Sequence, residues 1–214
     1  MINKAELLGI ILARKNSQRL INKNLLKIQN KNLIEITALS AIKSKIFDSI
    51  VLYTDISKNK VTTNKNITKH VTYLKRPRKF SGNKITSEET LIRMFNNNKH
   101  LKNFKDLILL QPTSPMRTSY DIKKMYKIYK DKKIKSLISV MKVQKKENDK
   151  KTFFREKKFY KTNGLIYISN INYFLKKKYL YDKNSFFYKM SKNKSIDIDT
   201  KADLKIAKRI LNNK

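Results

Sequence analysis

The sequence of 214 residues has no cysteine and only three glycines, Gly9, Gly82 and Gly164. Without cysteine there is no disulfide framework, no zinc–thiolate centre and no thiol nucleophile, and the two histidines, His70 and His100, do not make a metal site by themselves. Roughly 15 glycines would be usual for this length. With three, the dinucleotide-binding GxGxxG, the Walker A loop and the kinase glycine loop are all excluded. Oxygen-ligated metals and the chemistry of carboxylates and hydroxyls remain. Long apolar runs are missing too. The longest, Leu7 to Ala13, falls far short of the roughly 20 residues of a membrane helix, and it leads into Arg14-Lys15 with no small-residue cleavage site. The expectation is a cytoplasmic protein in one domain, residues 1–214.

Charge of one sign is scarce: 16 Asp and Glu stand against 51 Lys and Arg, a formal net charge of +35. Such a field attracts polyanions, and a nucleic-acid partner is one reading of it. The excess is nearly all lysine, 43 Lys to 8 Arg, and Asn and Ile are heavily used as well. That bias also fits drift toward AT-rich codons, with the lysines on solvated faces.

The apolar pattern alternates between short buried runs and longer amphipathic ones. Strands are expected at 6–13, 49–55, 71–74, 107–110 and 137–143. Helices are expected at 33–47, opened by Asn32, at 87–97, opened by Thr86 or Ser87, and at 119–132. Strand, loop, helix, strand is the unit of a parallel sheet, so the class is α/β. After Val143 the alternation lapses. A basic, aromatic-dotted segment at 145–161 precedes a strand at 164–169, a short helix at 171–177, an extended stretch at 185–190, the alternating Ser195-Ile196-Asp197-Ile198-Asp199-Thr200, and a last helix at 202–211.

Three groups of residues carry chemistry. Arg14 to Asn24 follows the first strand and offers Arg14, Lys15, Arg19 and Lys23 with Asn16, Ser17 and Asn24, a set suited to a polyphosphate at the carboxyl edge of a sheet. A solvated surface loop is the alternative. Asp197 and Asp199 lie two apart on an extended stretch, so both carboxylates share one face while Ile196 and Ile198 share the other. Two such carboxylates suit Mg²⁺, although a polar face beside a helix cap at Thr200 would look the same. Gln111-Pro112-Thr113-Ser114-Pro115 stops a buried strand and can present a carboxamide and two hydroxyls to a ligand, or serve only as a rigid turn. Together the three describe a site for a nucleoside triphosphate and a metal ion.

At these residues the chain resembles the acylneuraminate cytidylyltransferases, the CMP-sialic acid synthetases, and their relatives that activate legionaminic and pseudaminic acids. The resemblance rests on ILARKNSQRLINKN at 11–24, KSKIFDSIVLYTD at 43–55, LKRP at 74–77, LLQPTSPMRT at 109–118, NGLIYIS at 163–169 and SIDIDTKADLKIA at 195–207. It implies a Rossmann-like three-layer α/β/α nucleotide-diphospho-sugar transferase fold with a mostly parallel sheet. It also implies CTP and a nonulosonic acid as substrates, Mg²⁺ or Mn²⁺ as cofactor, and a homodimer. The anomeric hydroxyl would attack the α-phosphorus of CTP, pyrophosphate would leave, and the product would be a CMP-sugar.

The resemblance places Arg14, Asn16, Ser17, Arg19, Lys23 and Asn24 around the CTP phosphates and ribose, and Arg76 and Ser87 at cytosine. Arg14, Lys23 and Asp199 take the catalytic roles, and Asp197 and Asp199 hold the metal. Gln111, Tyr167, Phe186, Phe187 and Lys151 fall at the sugar or where a partner subunit covers it, with Lys161 as a second lysine in the place of an arginine that the family carries on its arm; for the three aromatics core packing is the alternative. Three differences stand out: Lys15-Asn16 where family loops often have glycine, Asn83 where the family usually has Asp, and a segment at about 144–162 that makes only a shortened dimerisation arm. Two other readings remain open from the sequence. One is a single-strand nucleic-acid binder built on FFREKKFYK at 153–161 and YFLKKKYLYDK at 173–183, where aromatic and basic residues interleave. The other is an inactive cytidylyltransferase.

Overall fold

The computed structural model describes residues 5–17, 19–82, 84–144 and 152–212. In chain order the strands are β1 (Leu7–Ala13), β2 (Lys27–Ile28), β3 (Lys31–Asn32), β4 (Ser49–Thr54), β5 (Val71–Lys75), β6 (Asp106–Leu110), β7 (Ser136–Val143), β8 (Thr152–Arg155), β9 (Lys158–Asn170) and β10 (Phe186–Lys189). The α-helices are α1 (Leu33–Ser44), α2 (Lys58–Val61), α3 (Lys65–His70), α4 (Ser87–Asn97), α5 (Ser119–Asp131), α6 (Ile171–Lys177) and α7 (Lys201–Asn212). No described helix is long and apolar enough to cross a membrane.

Eight strands form one mixed sheet in the order β10-β7-β9-β6-β1-β4-β5, with β8 paired to β9. β1 runs parallel to both its neighbours, β4 and β6, and β4 runs parallel to β5. β9 is antiparallel to β6 and β7, so the mostly parallel expectation holds with one reversed strand inside the sheet. Helices cover both faces, as a parallel sheet requires. Leu7 and Ile11 of β1 point to the layer of α1 and α5 (Ile34, Ala38, Ala41, Ile122, Met125), while Leu8 and Ile10 point to that of α4 and α6 (Leu91, Met94, Phe95, Phe174). Gly9 shares the first face, and a Cβ there would come within 2.9 Å of the Phe47 ring, so this glycine is needed for close packing. α7 packs through Ala207 in one apolar cluster with Ile198, Leu20, Ile28 and Leu33.

Three helices begin with reciprocal capping boxes: Asn32 with Glu35 at α1, Thr86 with Glu89 at α4 and Thr118 with Asp121 at α5. The structure differs from the sequence expectation in four places. The weak stretch 56–69 contains two short helices, α2 and α3, the second capped by Asn64. The strand expected at 164–169 is the second half of the 13-residue β9, whose first half pairs with β8 in a hairpin. α1 stops at Ser44 because Lys45 adopts a left-handed conformation. Ser195 sits in a 3₁₀ turn, and 196–199 pairs with no strand. The facing still holds there: Ile198 is buried and its N–H donates to the carbonyl of Thr113 at 2.7 Å, while Ile196 packs against the same apolar cluster.

Asp121 does more than cap α5. Its carboxylate accepts from the Thr118 amide and hydroxyl and pairs with Lys194, which ties α5 to the segment leading toward Asp197. Burial alone would raise this carboxyl, but the bonds from Lys194 and Thr118 outweigh it and hold it below its ordinary value. The stability it contributes is therefore complete above the ordinary carboxylate range of about 4 and is lost as pH falls through the lowered value. Asp121→Asn is expected to lower unfolding stability by about 1–2 kcal/mol at pH 7. Its difference from the unaltered chain should shrink steadily below about pH 4, read from denaturant unfolding at a series of pH values; a constant difference down to pH 3 would contradict this account.

Candidate active site

From β1 the chain moves to β4 and β5 on one side and then crosses back to β6 on the other. The loops after β1 and β6 therefore diverge over the carboxyl edge of the sheet, and this is where open α/β sheets leave a crevice. Here it is a cleft of about 280 Å³. The loop after β1 supplies Arg14, Ser17, Arg19, Lys23 and Asn24, and the end of β5 supplies Arg76. The start of α4 supplies Thr86, Ser87 and Thr90; the end of β6 supplies Gln111, Pro112 and Thr113; and the chain entering α7 supplies Asp197 and Asp199.

The loop after β1 is built without glycine. Among its described residues before Asn22 none has a positive φ, and Asn22 itself, at φ 51°, is of a residue type that tolerates the left-handed region. Side chains hold the turn instead. Asn24, buried, donates to the carbonyl of Arg14 at 2.9 Å, and Asp55 Oδ1 accepts the next amide, Lys15 N–H, at 2.7 Å. The Lys15-Asn16 pair thus occupies a loop whose backbone asks for no glycine.

Across the cleft, Asp199 joins two cations. Its Oδ1 accepts from Lys23 Nζ at 2.7 Å and its Oδ2 pairs with the Arg19 guanidinium at 2.9 Å. Arg14 donates to the carbonyl of Gly82 at 3.2 Å. Arg76 is buried and gives both Nε and a terminal nitrogen to the carbonyl of Phe80. Burial lowers the Arg76 pKa, and the field of Asp55 works against that shift. The cleft therefore brings Arg14, Arg19, Lys23 and Arg76 together with two carboxylates, one of which already bridges Arg19 and Lys23.

Gln111 owes its place to two residues behind it. The buried Arg117 guanidinium donates to the carbonyls of Gln111 (3.3 Å) and Leu165 (2.6 Å) and to Thr37 Oγ1 (2.9 Å), joining the β6 loop to β9 and α1. Burial lowers its pKa to about 9. Gly164, at φ +75°, lies directly under the carboxamide: a Cβ there would stand 2.7 Å from Gln111 Oε1 and 2.8 Å from Ser114 Oγ.

Ten of the residues singled out from sequence meet in this one cleft: Arg14, Ser17, Arg19, Lys23, Asn24, Arg76, Ser87, Gln111, Asp197 and Asp199. Asn16 is exposed on the loop and does not line it. The aromatics expected at a sugar lie elsewhere. Tyr167 is buried and stacked on Tyr181 at 5.5 Å, with its hydroxyl pushed up by burial. Phe187 packs edge-on to Phe153 and Tyr160, and Phe186 lies on the opposite face of β10 under Lys132. For Phe186 and Phe187 the reason is topological, since β10 pairs with β7 at the far end of the sheet. Tyr167 lies on β9 opposite Leu109, and its buried hydroxyl feels the Asp197 carboxylate. Lys161 is on β9 and outside the cleft, while Lys151 and Asn83 lie outside the described residues. Of the aromatics in the two basic stretches, Phe153, Tyr160, Phe174 and Tyr181 are spent on core packing, while Phe154 is largely exposed. Thr113, one of the two hydroxyls that the sequence offered after β6, lines the cleft as well. Sequence reasoning misses Thr90 and Asp55, the latter no more than the end of a strand there.

The cytidylyltransferase profile matches residues 8–214. The chain belongs to the cytidylyltransferase family. The chain is 28% identical over 229 aligned residues to the N-acylneuraminate cytidylyltransferase of Escherichia coli O18:K1:H7 (strain RS218 / NMEC), a match covering 95% of the chain and 52% of that relative. The chain thus spans about half the relative's length. Among solved structures it is similar to a CMP:2-keto-3-deoxy-manno-octonic acid synthetase complexed with CTP, with a TM-score of 0.69 at 14% identity over 98% of this chain and 99% of that one. It is also similar to a 4-diphosphocytidyl-2C-methyl-D-erythritol synthase from Anaerococcus prevotii DSM 20548, with a TM-score of 0.66 at 15% identity over 99% and 98% of the two chains. At these identities the likeness is one of fold, and it establishes the α/β nucleotidyltransferase architecture.

Gly164→Ala tests the support of Gln111. A left-handed backbone costs an L-residue about 1–2 kcal/mol, and the methyl group must displace the carboxamide or the Ser114 hydroxyl. Chemical unfolding is expected to show a loss of at least that size, and a crystal structure of the variant should show the Gln111 side chain moved into the cleft.

Proposed function

We propose that this cytidylyltransferase transfers CMP from CTP to the anomeric hydroxyl of a sialic-acid-like nonulosonic acid and releases pyrophosphate. The observation that carries the reading is the convergence of Arg14, Arg19, Lys23 and Arg76 with Asp197 and Asp199 at the point where the strand order reverses. The cations suit a triphosphate and the carboxylates suit a divalent ion, and the two kinds of group meet at Asp199, which pairs with Lys23 and Arg19. The likeness to an N-acylneuraminate cytidylyltransferase supports the choice of acceptor.

In this reading Arg14, Lys23 and Arg19 hold the phosphates, aided by Ser17 and Asn24. Arg76, Ser87 and the neighbouring Thr86 face the base, and Gln111 faces the acceptor. The hydroxyl oxygen of the acceptor bonds to the α-phosphorus as the bond from that phosphorus to the bridging oxygen breaks, and pyrophosphate leaves with the electron pair. The loop cations meet the charge that grows on the phosphate oxygens, and the hydroxyl proton passes to a carboxylate of the Asp pair.

Among the described residues no three His, Cys, Asp or Glu side chains gather to hold a metal. Asp197, Asp199, Gln111 and Thr113 line the same cleft and offer oxygen donors of the kind that suit Mg²⁺ or Mn²⁺ completed by phosphate and water, with Asp199 exchanging Lys23 and Arg19 for the ion. Bound there, the ion would neutralise phosphate charge and orient the triphosphate. A cytoplasmic homodimer belongs to the same reading.

A coupled pyrophosphate assay with CTP and each of sialic, legionaminic and pseudaminic acids and Kdo tests the proposal and ranks the acceptors. Asp197→Asn and Asp199→Asn are each expected to reduce turnover by about 100-fold or more, and unchanged turnover in either would remove the metal assignment.

A further inference from the structure

Asp55 lies outside the cleft yet touches what forms it. The parallel register pairs Ala13 of β1 with Thr54 of β4, so the next residues of each strand, Arg14-Lys15 and Asp55, emerge side by side. There the carboxylate accepts the Lys15 amide at 2.7 Å. On its other side β5 follows in register, the Arg76 amide donates to the carbonyl of Thr54 at 2.8 Å, and Asp55 and Arg76 wall one shared hollow behind the cleft. The carboxylate is itself aimed by a locked turn. Thr54 Oγ1 accepts the Ile56 amide at 3.1 Å, and the Tyr73 hydroxyl donates to the Ile56 carbonyl.

We propose that Asp55 is a positioning residue of the triphosphate-binding loop, whose carboxylate fixes the turn at Lys15 and so sets the loop amides and Arg14 for phosphate, doing by a side-chain bond what glycine backbones do elsewhere. This rests on the reading of the cleft as a nucleotide site. The charge of Asp55 points the same way. A carboxylate next to a triphosphate site repels the ligand, so attraction for the ligand gives no reason for an acid at this position, whereas a fixed hydrogen-bond acceptor does. It also steadies the buried Arg76 cation, which burial otherwise disfavours.

The two accounts predict opposite signs. If Asp55 acts only through charge, removing that charge tightens binding of a polyanion in Asp55→Asn and Asp55→Ala alike. If it acts as the tether, Asp55→Asn, whose amide oxygen still reaches Lys15 N–H, binds within about 3-fold of the unaltered chain, and Asp55→Ala binds about 10-fold more weakly, the value of one lost hydrogen bond. The measurement is calorimetric titration of the full chain with CTP, with ATP and, separately, with inorganic tripolyphosphate, together with hydrogen exchange of the amides of residues 14–17 without ligand. Exchange there is expected to quicken about 10-fold in Asp55→Ala and to stay near its original rate in Asp55→Asn. Asp55→Ala binding tripolyphosphate as tightly as the unaltered chain, or unchanged exchange at the loop, would overturn the proposal. Should Asp55→Ala fail to fold, Asp55→Ser, too short to reach the amide, decides in its place. The tripolyphosphate arm does not depend on the base: if CTP binds no better than ATP, the functional reading fails while the role of Asp55 is still decided by tripolyphosphate and by exchange.

Discussion

Parallel pairing of β1 with strands on both sides is the constraint on which the rest depends. A strand buried on both faces and both edges is fixed along its whole length, so the residue that follows it, Arg14, leaves from a defined point. Because β4 and β6 are held in register with β1, Asp55 and Gln111 emerge at the same edge. The cleft is thus a property of three strand ends before it is a property of any loop. Insertion of β9 antiparallel between β6 and β7 leaves this edge undisturbed and adds Gly164 as the floor under Gln111.

The overall charge has little to do with the site. Most of the 43 lysines lie on solvated surfaces and at ionic strengths near 0.15 M are screened beyond about 8 Å. The cleft holds cations and carboxylates together, and several of its charged groups are partly buried. Local pairing, as at Asp199, sets the field that a ligand would meet there.

The α/β class and the cleft were largely legible in the sequence because both rest on local patterns. β1, β6 and α4 have unambiguous periodicity, and Asp197-Ile198-Asp199 carries its facing in its alternation even though the segment joins no sheet. The β8–β9 hairpin was not legible. Its two-residue turn uses Glu156 and Lys157 at φ 51° and 57°, where the usual signal is Asn or Gly. Phe186 and Phe187 were misplaced for a different reason: their location depends on β10 crossing to pair with β7, a long-range choice that no local pattern records. Asp55 went unread because its role exists only once two strand ends are side by side.

On the proposed reading of the cleft, the Asp199 bridge to Lys23 and Arg19 would make ligand capture a metathesis instead of an addition. An arriving anion takes cations that already have a counter-ion, and the displaced carboxylate becomes available to a positive partner in the same event. The free energy is then the difference between two sets of ion pairs, so added salt weakens both sides of the exchange together. A lone anion or a lone cation gains only half of that exchange, which favours ligands that bring both charges at once.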